Sequence, residues 1–138
     1  MIRRATAEDI PRIVAMGRRH HGMMPMTVDY DDASMAETVA QVMASASAVC
    51  LVSDHGSIAG VITPQFFAAQ AAVATELWWH SFDGSGLALL DALEAWARER
   101  GASELSVATL EAHRPAGAAR VLSRRGFVPS QRVYAKDL

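Results

Sequence analysis

The sequence has 138 residues, 51% hydrophobic and 20% charged, which suits one globular domain over residues 1–138 and excludes a disordered chain. Its 13 basic and 15 acidic residues give a net charge of −2 with no long run of one sign, so we expect no nucleic-acid partner. The one cysteine, Cys50, lies in an apolar run typical of a buried strand, and no segment supplies the ~20 apolar residues that span a membrane, so we expect a cytoplasmic protein with no membrane partner.

The first half of the chain predicts a strand followed by two helices. Met1–Ala5 has a short β-like pattern, and a partial capping box at Thr6 predicts a helix that runs to about His20. A second capping box begins at Ser34. It precedes apolar residues at helical spacing and predicts a helix over Met35–Ser45.

The middle of the chain predicts a β-hairpin and a further strand. Ala48–Ser53 and Ile58–Thr63 are rich in β-formers, and Asp54–Ser57 between them has the residues of a turn. Pro64–Ala72 is ambiguous, whereas Val73–His80 is typical of a strand. These segments indicate three consecutive strands.

The last third of the chain predicts a helix, a strand, a helix and two closing strands. A strongly amphipathic helix ends at Gly101, and Glu104–Leu110 is typical of a strand. Pro115–Arg125 predicts a helix, and Phe127–Ser130 and Arg132–Lys136 have strand patterns. The full order β-α-α-β-β-β-α-β-α-β-β predicts an α/β (α+β) fold.

A glycine-rich turn, Gly84–Gly86, joins a predicted strand to the amphipathic helix. The first turn of a helix has N–H groups without internal partners and carries the positive end of the helix dipole. Glycine lets a phosphate approach such a backbone closely, so the turn is a candidate anion site. Close packing between strand and helix is the alternative reason for small residues there.

Six phrases, in the same order along the chain, resemble the GNAT N-acetyltransferase family. They are Ile2–Pro11, Gly60–Ile62, Glu76–Trp79, Ala92–Ala102, Leu122–Pro129 and Val133–Lys136. The resemblance implies a central mixed, mostly antiparallel sheet flanked by helices. It also implies acetyl transfer from acetyl-CoA to a small-molecule or peptide amine, by direct attack in a ternary complex without a metal.

The resemblance also assigns the acetyl-CoA site. The splayed strands that admit the pantetheine arm would be Val73–His80 and Glu104–Leu110. The implied contacts are the backbone of Leu77, Trp78 and Trp79 for pantetheine, and the turn Asp83, Gly84, Ser85, Gly86, Leu87 and Ala88 for the pyrophosphate.

The turn departs from the family's pyrophosphate signature, which begins with Arg or Gln. That place is taken here by Ser81 or by Asp83, depending on which glycines are aligned. Asp83 would oppose a pyrophosphate if it pointed inward, or it could cap the helix. Three arginines are candidates for the missing positive charge: Arg114, Arg120 and Arg124.

Transfer to an amine requires a base, because an amine with a pKa of about 10 is mostly protonated at neutral pH. Glu76 lies on the strand where the family often places its base, and His80 ends that strand. The alternatives are that Glu76 points to solvent and that His80 only terminates the strand. The family's frequent acid, a Tyr, is replaced by Leu122. Tyr134, on the predicted final strand, is a substitute acid if the fold brings it near the site. The alternative is that Tyr134 is a half-buried strand residue, in which case water could protonate the CoA thiolate.

The acceptor is not identified by the sequence, although residues 21–33 and 64–72 are expected to shape its site. Three methionines, Met23, Met24 and Met26, could form an apolar lip or pack against the second helix. Three acids, Asp29, Asp31 and Asp32, could attract a cationic amine or only solvate a loop. His113 with Glu111 could line the acceptor site or an ordinary loop.

Three further questions stay open at this level. A homodimer is possible. The rivals to an enzyme are a fold member that binds acyl-CoA without catalysis and an interaction protein that has lost the cofactor. The adjacent pair His20 and His21 is not expected to bind metal, because neighbouring helical residues point about 100° apart.

Overall fold

A computed structural model describes residues 1–110 and 114–138 as a five-stranded sheet with helices on both faces. The strands are β1 Arg3–Arg4, β2 Ala48–Val52, β3 Gly56–Gln65, β4 Ala68–Ser81 and β5 Glu104–Ser106. The helices are α1 Ile10–His21, α2 Asp32–Ala44, α3 Gly86–Glu99 and α4 Pro115–Arg124, and a single 3₁₀ turn, Ala7–Asp9, precedes α1.

The sheet is mixed and mostly antiparallel, which confirms the predicted fold class. Its strands lie in chain order; β1 to β4 are antiparallel neighbours, and β5 pairs with β4 in parallel. The predicted hairpin is present as β2 and β3. The ambiguous segment 64–72 belongs to a second, longer hairpin, because β3 runs to Gln65 and β4 begins at Ala68. Its turn exposes Phe66 and Phe67.

Two apolar cores lie on opposite faces of this sheet, because side chains alternate along each strand. The α1/α2 face has a buried cluster that includes Ile13, Val39, Cys50 and Ala59. The α3/α4 face has a second buried cluster: Val49, Leu51, Ile58, Ala74, Leu89, Leu90, Leu93, Trp96, Ala97 and Leu122. Cys50 is therefore a buried strand residue, as expected, and burial raises the pKa of its thiol to about 11.

The start of α2 differs from the prediction. The helix begins at Asp32, and its N-cap is Asp31, whose carboxylate accepts a hydrogen bond of 2.8 Å from the Ser34 N–H. Ser34, the predicted cap, instead lies in the first turn. A carboxylate satisfies a free N–H and also interacts favourably with the helix dipole, which a hydroxyl does only weakly.

The two predicted closing strands are absent from the residues that the structure describes. After α4, Gly126 adopts a positive φ of 86°, and Phe127 returns an N–H to the Leu122 carbonyl at 3.1 Å. Residues 128–138 are exposed and have no strand partner. A strand needs an edge to pair with, and β5, predicted to reach Leu110, has only three paired residues. Pro129 also lacks the N–H that a ladder requires.

None of the described helices is both long enough and apolar enough to cross a bilayer.

Candidate functional site

Strands β4 and β5 are paired only over a short stretch, and the side of β4 beyond this pairing is the gap considered below. Their parallel pairing covers three residue pairs, Val73–Glu104, Ala74–Leu105 and Thr75–Ser106. Strand β4 then continues to Ser81 without a partner on that side in the described chain. Its backbone groups beyond Thr75 are therefore exposed along one side of the gap, where an extended ligand with amide groups can pair with them.

A β-bulge interrupts β4 beside this gap. Trp78 pairs with Ala59 and Glu76 pairs with Gly60, so Leu77 is an extra residue without a partner on β3. A bulge bends its strand and redirects side chains, and here both Leu77 and Trp78 line a cavity on the α1/α2 face. Among the described residues, Leu77 thus has no register partner on either neighbouring strand.

Glu76 borders the gap on the other face of the sheet. Ala74, two residues earlier, packs in the α3/α4 core, and alternation places Glu76 on the same face. Its Oε2 accepts a hydrogen bond of 3.2 Å from the Ala108 N–H, which follows β5. Burial raises the pKa of the Glu76 carboxyl above its ordinary value, and the Ala108 hydrogen bond partly opposes this. The side chain therefore bridges the gap and does not point to solvent.

His80 lies on the α1/α2 face, opposite Glu76. The residue is 5% exposed, and its Nε2 has no hydrogen-bond partner among the described residues. Its ring centroid is 5.7 Å from that of His20 and 6.1 Å from that of Phe82. Burial, followed by the charge of His20, lowers the pKa of His80 to about 4. The imidazole is therefore neutral at neutral pH, and it lines the cavity.

The amino end of α3 offers unpaired N–H groups next to the gap. The helix begins at Gly86 after the N-cap Ser85, and its first repeating hydrogen bond runs from the Leu89 N–H to the Ser85 carbonyl at 2.9 Å. In the part of the chain that the structure describes, no acceptor pairs with the N–H groups of residues 86–88. Gly84, with φ 78°, turns the backbone ahead of them.

Asp83 forms no hydrogen bond with these free N–H groups in the described chain. Its carboxylate accepts hydrogen bonds of 2.9 to 3.0 Å from the Ser53 hydroxyl, the His55 N–H, the Ser81 hydroxyl and the Ser85 N–H. The Ser85 hydroxyl donates as well, and these bonds hold the pKa of Asp83 well below its usual range. Asp83 therefore organises the turn and ties it to the β2–β3 hairpin, and it is not the N-cap of α3.

A partly buried ion-pair network holds the turn of the β2–β3 hairpin, to which Asp83 also bonds. Asp9 is 6% exposed and accepts bonds of 2.6 and 2.8 Å from Arg3 and one of 2.9 Å from Arg12. Arg12 also donates to the carbonyl oxygens of Ser53, at 2.7 Å, and of Asp54. These arginines hold the pKa of Asp9 well below its usual range. The sequence assigned Asp9 only to a helix cap, because the link that Arg12 makes from Asp9 to the hairpin joins residues 41 and 42 positions apart.

The two predicted cofactor-contacting tryptophans have fixed side chains. Trp79 Nε1 donates to the Gly86 carbonyl at 3.0 Å, which joins β4 to the first turn of α3. Trp78 Nε1 donates to the Ser57 hydroxyl at 2.9 Å on the opposite face. The predicted role of their backbones in holding pantetheine stays a prediction.

Among the described residues, the candidate acid and the candidate cations form no hydrogen bond or ion pair with Glu76, His80 or the turn before α3. Leu122 is 7% exposed and packs in the α3/α4 core. Tyr134 is 84% exposed and not half-buried on a strand; no hydrogen bond joins it to Glu76 or His80. Its role as acid stays a prediction. Within residues 1–110 and 114–138, the three arginines predicted to neutralise phosphate form no ion pair, whereas Arg125 pairs with Asp91 on α3.

A cavity of about 270 Å³ lies between α1, the following loop, α2 and β4. It is lined by Gly17, His20, His21, Met24, Met26, Tyr30, Met35, Leu77, Trp78, His80 and Leu110. Two of the three predicted lip methionines thus line it, and Met23 does not. Glu111 and His113 lie outside the described residues. Among those described, no three His, Cys, Asp or Glu side chains form a group that could hold a metal.

The three loop acids do not line the cavity. Asp31 caps α2, and Asp32 pairs with Arg18 at 2.7 Å. Asp29 is exposed. The alternative that they only solvate or stabilise the loop therefore fits the structure better than a cation site.

Comparison with solved structures supports the fold assignment. A transcriptional regulator from Bacillus halodurans C-125 has a TM-score of 0.77 at 18% identity, over 100% of this chain and 99% of that one. A predicted acetyltransferase from Clostridium acetobutylicum, solved with acetyl-CoA, has a TM-score of 0.72 at 17% identity, over 99% and 95%. An acetyltransferase from Trypanosoma brucei has a TM-score of 0.73 at 18% identity, over 100% and 99%.

No family model matches the sequence, and no curated protein matches it significantly. At identities below 20%, the likeness to the solved structures is one of fold, and most of these neighbours are described as acetyltransferases. The chain therefore has the fold of the GNAT acetyltransferases.

Proposed function

We propose that the protein transfers an acetyl group from acetyl-CoA to an amine. The observation that carries the proposal is the gap between β4 and β5, which lies beside the free N–H groups at the start of α3. A long ligand with amides in the middle and a diphosphate at one end is complementary to both features. Acetyl-CoA is such a ligand, and it supplies an acetyl thioester activated for transfer.

The amino end of α3 would hold the diphosphate through backbone groups alone. The N–H groups of residues 86–88 are three free donors, and they lie at the positive end of the helix dipole. The carboxylate of Asp83 is already satisfied by five hydrogen bonds, two of them from Ser53 and His55 on the β2–β3 hairpin and three from Ser81 and Ser85. Gly84 bears no side chain that would cover the approach.

Glu76 is the proposed base. Its carboxylate borders the gap, and a pKa raised by burial makes it a stronger base than a solvated carboxylate. It would take a proton from the attacking amine, directly or through one water. The new C–N bond then replaces the C–S bond, and the departing thiolate takes a proton from solvent because Leu122 cannot supply one. Unpaired β4 N–H groups are available to the oxyanion.

His80 and Tyr134 have different places in this proposal. His80 faces the cavity and not the gap side occupied by Glu76, so it is positioned to contact the acceptor. Tyr134 would act as an acid only if the carboxyl-terminal segment, exposed in this structure, closed over the gap.

A protein that binds acyl-CoA without catalysis is the second candidate. It is favoured by the apolar, core-packed Leu122, where the family frequently has its acid. This candidate predicts binding of acetyl-CoA with no turnover on any amine, with or without Glu76.

Calorimetric titration with acetyl-CoA, followed by a thiol-release assay over a panel of amines, separates the possibilities. The proposal expects binding and amine-dependent release of CoA thiol. Binding without release on the whole panel would favour the second candidate, and absence of binding at millimolar acetyl-CoA would overturn both.

A further inference from the structure

We infer that the cavity lined by His80 receives the acceptor, and that the acceptor is a primary amine on an uncharged body about the size of one aromatic ring, with a hydroxyl group for His80. This inference rests on the proposed function and names its substrate class. Three observations support it: the position of the cavity beside the gap, the residues that line the cavity, and the Nε2 atom of His80.

The cavity adjoins the gap in which the acetyl group would be presented. Leu77 is the bulged residue of β4, and Leu110 lies in the segment that follows β5. Both line the cavity, so its wall includes residues from both sides of the gap. A molecule held there can place its amine at the diverging strands.

The walls of the cavity favour an apolar body. Met24 and Met26 come from the loop after α1, Met35 comes from α2, and Leu77 and Trp78 come from β4. Methionine side chains adapt to ligand shape, and their sulfur atoms make favourable contacts with aromatic rings. The volume of about 270 Å³ exceeds the roughly 150 Å³ known to admit a benzene molecule.

None of the described residues that line the cavity is a carboxylate able to neutralise a second cationic centre. The nearby acids Asp31 and Asp32 bond to Ser34 and Arg18 respectively. A polyamine or a basic peptide would therefore bury an unpaired positive charge, which is strongly unfavourable. An acceptor with one amine and an uncharged remainder avoids this.

One polar atom in the wall lacks a partner. The Tyr30 hydroxyl donates to the Val14 carbonyl at 2.9 Å, and His21 Nε2 contacts the Val28 carbonyl at 2.7 Å. His80 Nε2 has no partner within the described chain, although the residue is 95% buried. A buried polar atom of this kind costs free energy until a ligand pairs with it. A hydroxyl group suits either imidazole tautomer, because it both donates and accepts.

The test measures binding of two matched amines by calorimetry at pH 7.5 without acetyl-CoA. Tyramine and phenethylamine differ by one hydroxyl, and spermidine is the polycationic comparison. We expect tyramine to bind about tenfold more tightly than phenethylamine, as one added hydrogen bond to a buried partner allows, and spermidine not to bind. Binding of spermidine that is as tight as that of tyramine, or tighter, would overturn the inference.

Three variants locate the binding site. His80→Phe should abolish the preference for tyramine over phenethylamine, although the variant should still bind both amines. Met24→Lys should weaken both amines at least tenfold by placing a charge in the cavity, whereas Met23→Lys, at an exposed neighbour outside it, should leave both unchanged. Insensitivity to Met24→Lys would refute the site even if His80→Phe did not fold.

The transfer assay then separates the two proposals. If tyramine binds and Met24→Lys prevents it, but no thiol is released with acetyl-CoA, the enzyme assignment fails and the cavity assignment stands. If thiol is released with spermidine and not with the aromatic amines, the enzyme assignment stands and the substrate class is wrong.

Discussion

Leu87→Glu tests whether backbone groups at the start of α3 bind a diphosphate. Leu87 is 39% exposed in the first turn, so the longer side chain has room, and a carboxylate there interacts favourably with the helix dipole. The same carboxylate would repel bound phosphates. At about 6 Å in water, each phosphate charge contributes about 0.7 kcal/mol, so two contribute about 1.4 kcal/mol, or tenfold in Kd. Leu87→Gln has a similar shape without the charge and is the matched control.

Calorimetry of acetyl-CoA binding at low and at high salt gives the readout. We expect Leu87→Glu to weaken binding about tenfold relative to Leu87→Gln at low salt, with a smaller difference at 1 M salt, where charges are screened beyond about 3 Å. Thermal unfolding should show Leu87→Glu to be no less stable than the control. Equal acetyl-CoA affinities for the two variants at low salt would refute a diphosphate at this helix end.

Three further changes have defined outcomes. Glu76→Gln should lower kcat by about 10² to 10⁴ in the thiol-release assay without changing acetyl-CoA affinity, and an unchanged kcat would exclude it as base. The pKa of His80 is 6.5 in the unfolded chain and about 4 in the folded protein. Because the unfolded chain takes up this proton first as the pH falls, the free energy of unfolding should decrease by about 3 kcal/mol from pH 6.5 to below pH 4. His80→Phe should remove that part of the slope in urea titrations, and an unaltered slope would contradict the buried neutral imidazole. Asp9→Asn should lower the free energy of unfolding by about 2 kcal/mol by weakening charged hydrogen bonds, whereas exposed Asp29→Asn should change it little; equal effects would argue against the network.

The elements that the sequence predicted well are those specified by local patterns. The hairpin of β2 and β3 follows from two β-rich runs around a turn, and α3 follows from its apolar periodicity and the glycine at its end. The prediction of two closing strands was wrong for a related reason. Phe127–Ser130 and Arg132–Lys136 have strand composition, but a strand also depends on a distant pairing edge, which composition does not reveal.

The site was predictable to a similar extent. The glycine turn before α3 and the position of Glu76 could be located from the sequence. The burial of His80 and the bulge at Leu77 could not, because both depend on packing between β4, α1 and α2. A register shift of one residue has no local signature, yet it decides which side chains line the cavity.

Neither Ser81 nor Asp83, the two residues that can be aligned with the family's phosphate-binding Arg or Gln, carries a positive charge. In the family signature that place carries a side chain able to donate to the phosphates, whereas here Asp83 accepts bonds from Ser53, Ser81, Ser85 and the His55 backbone. A carboxylate satisfied in this way fixes the turn against the β2–β3 hairpin. Arg12 anchors that hairpin in turn, through the Ser53 carbonyl and Asp9. Under the proposed function, the chain would use a rigid backbone with free N–H groups in place of a direct cationic contact, and preorganised donors of this kind need little rearrangement when an anion binds.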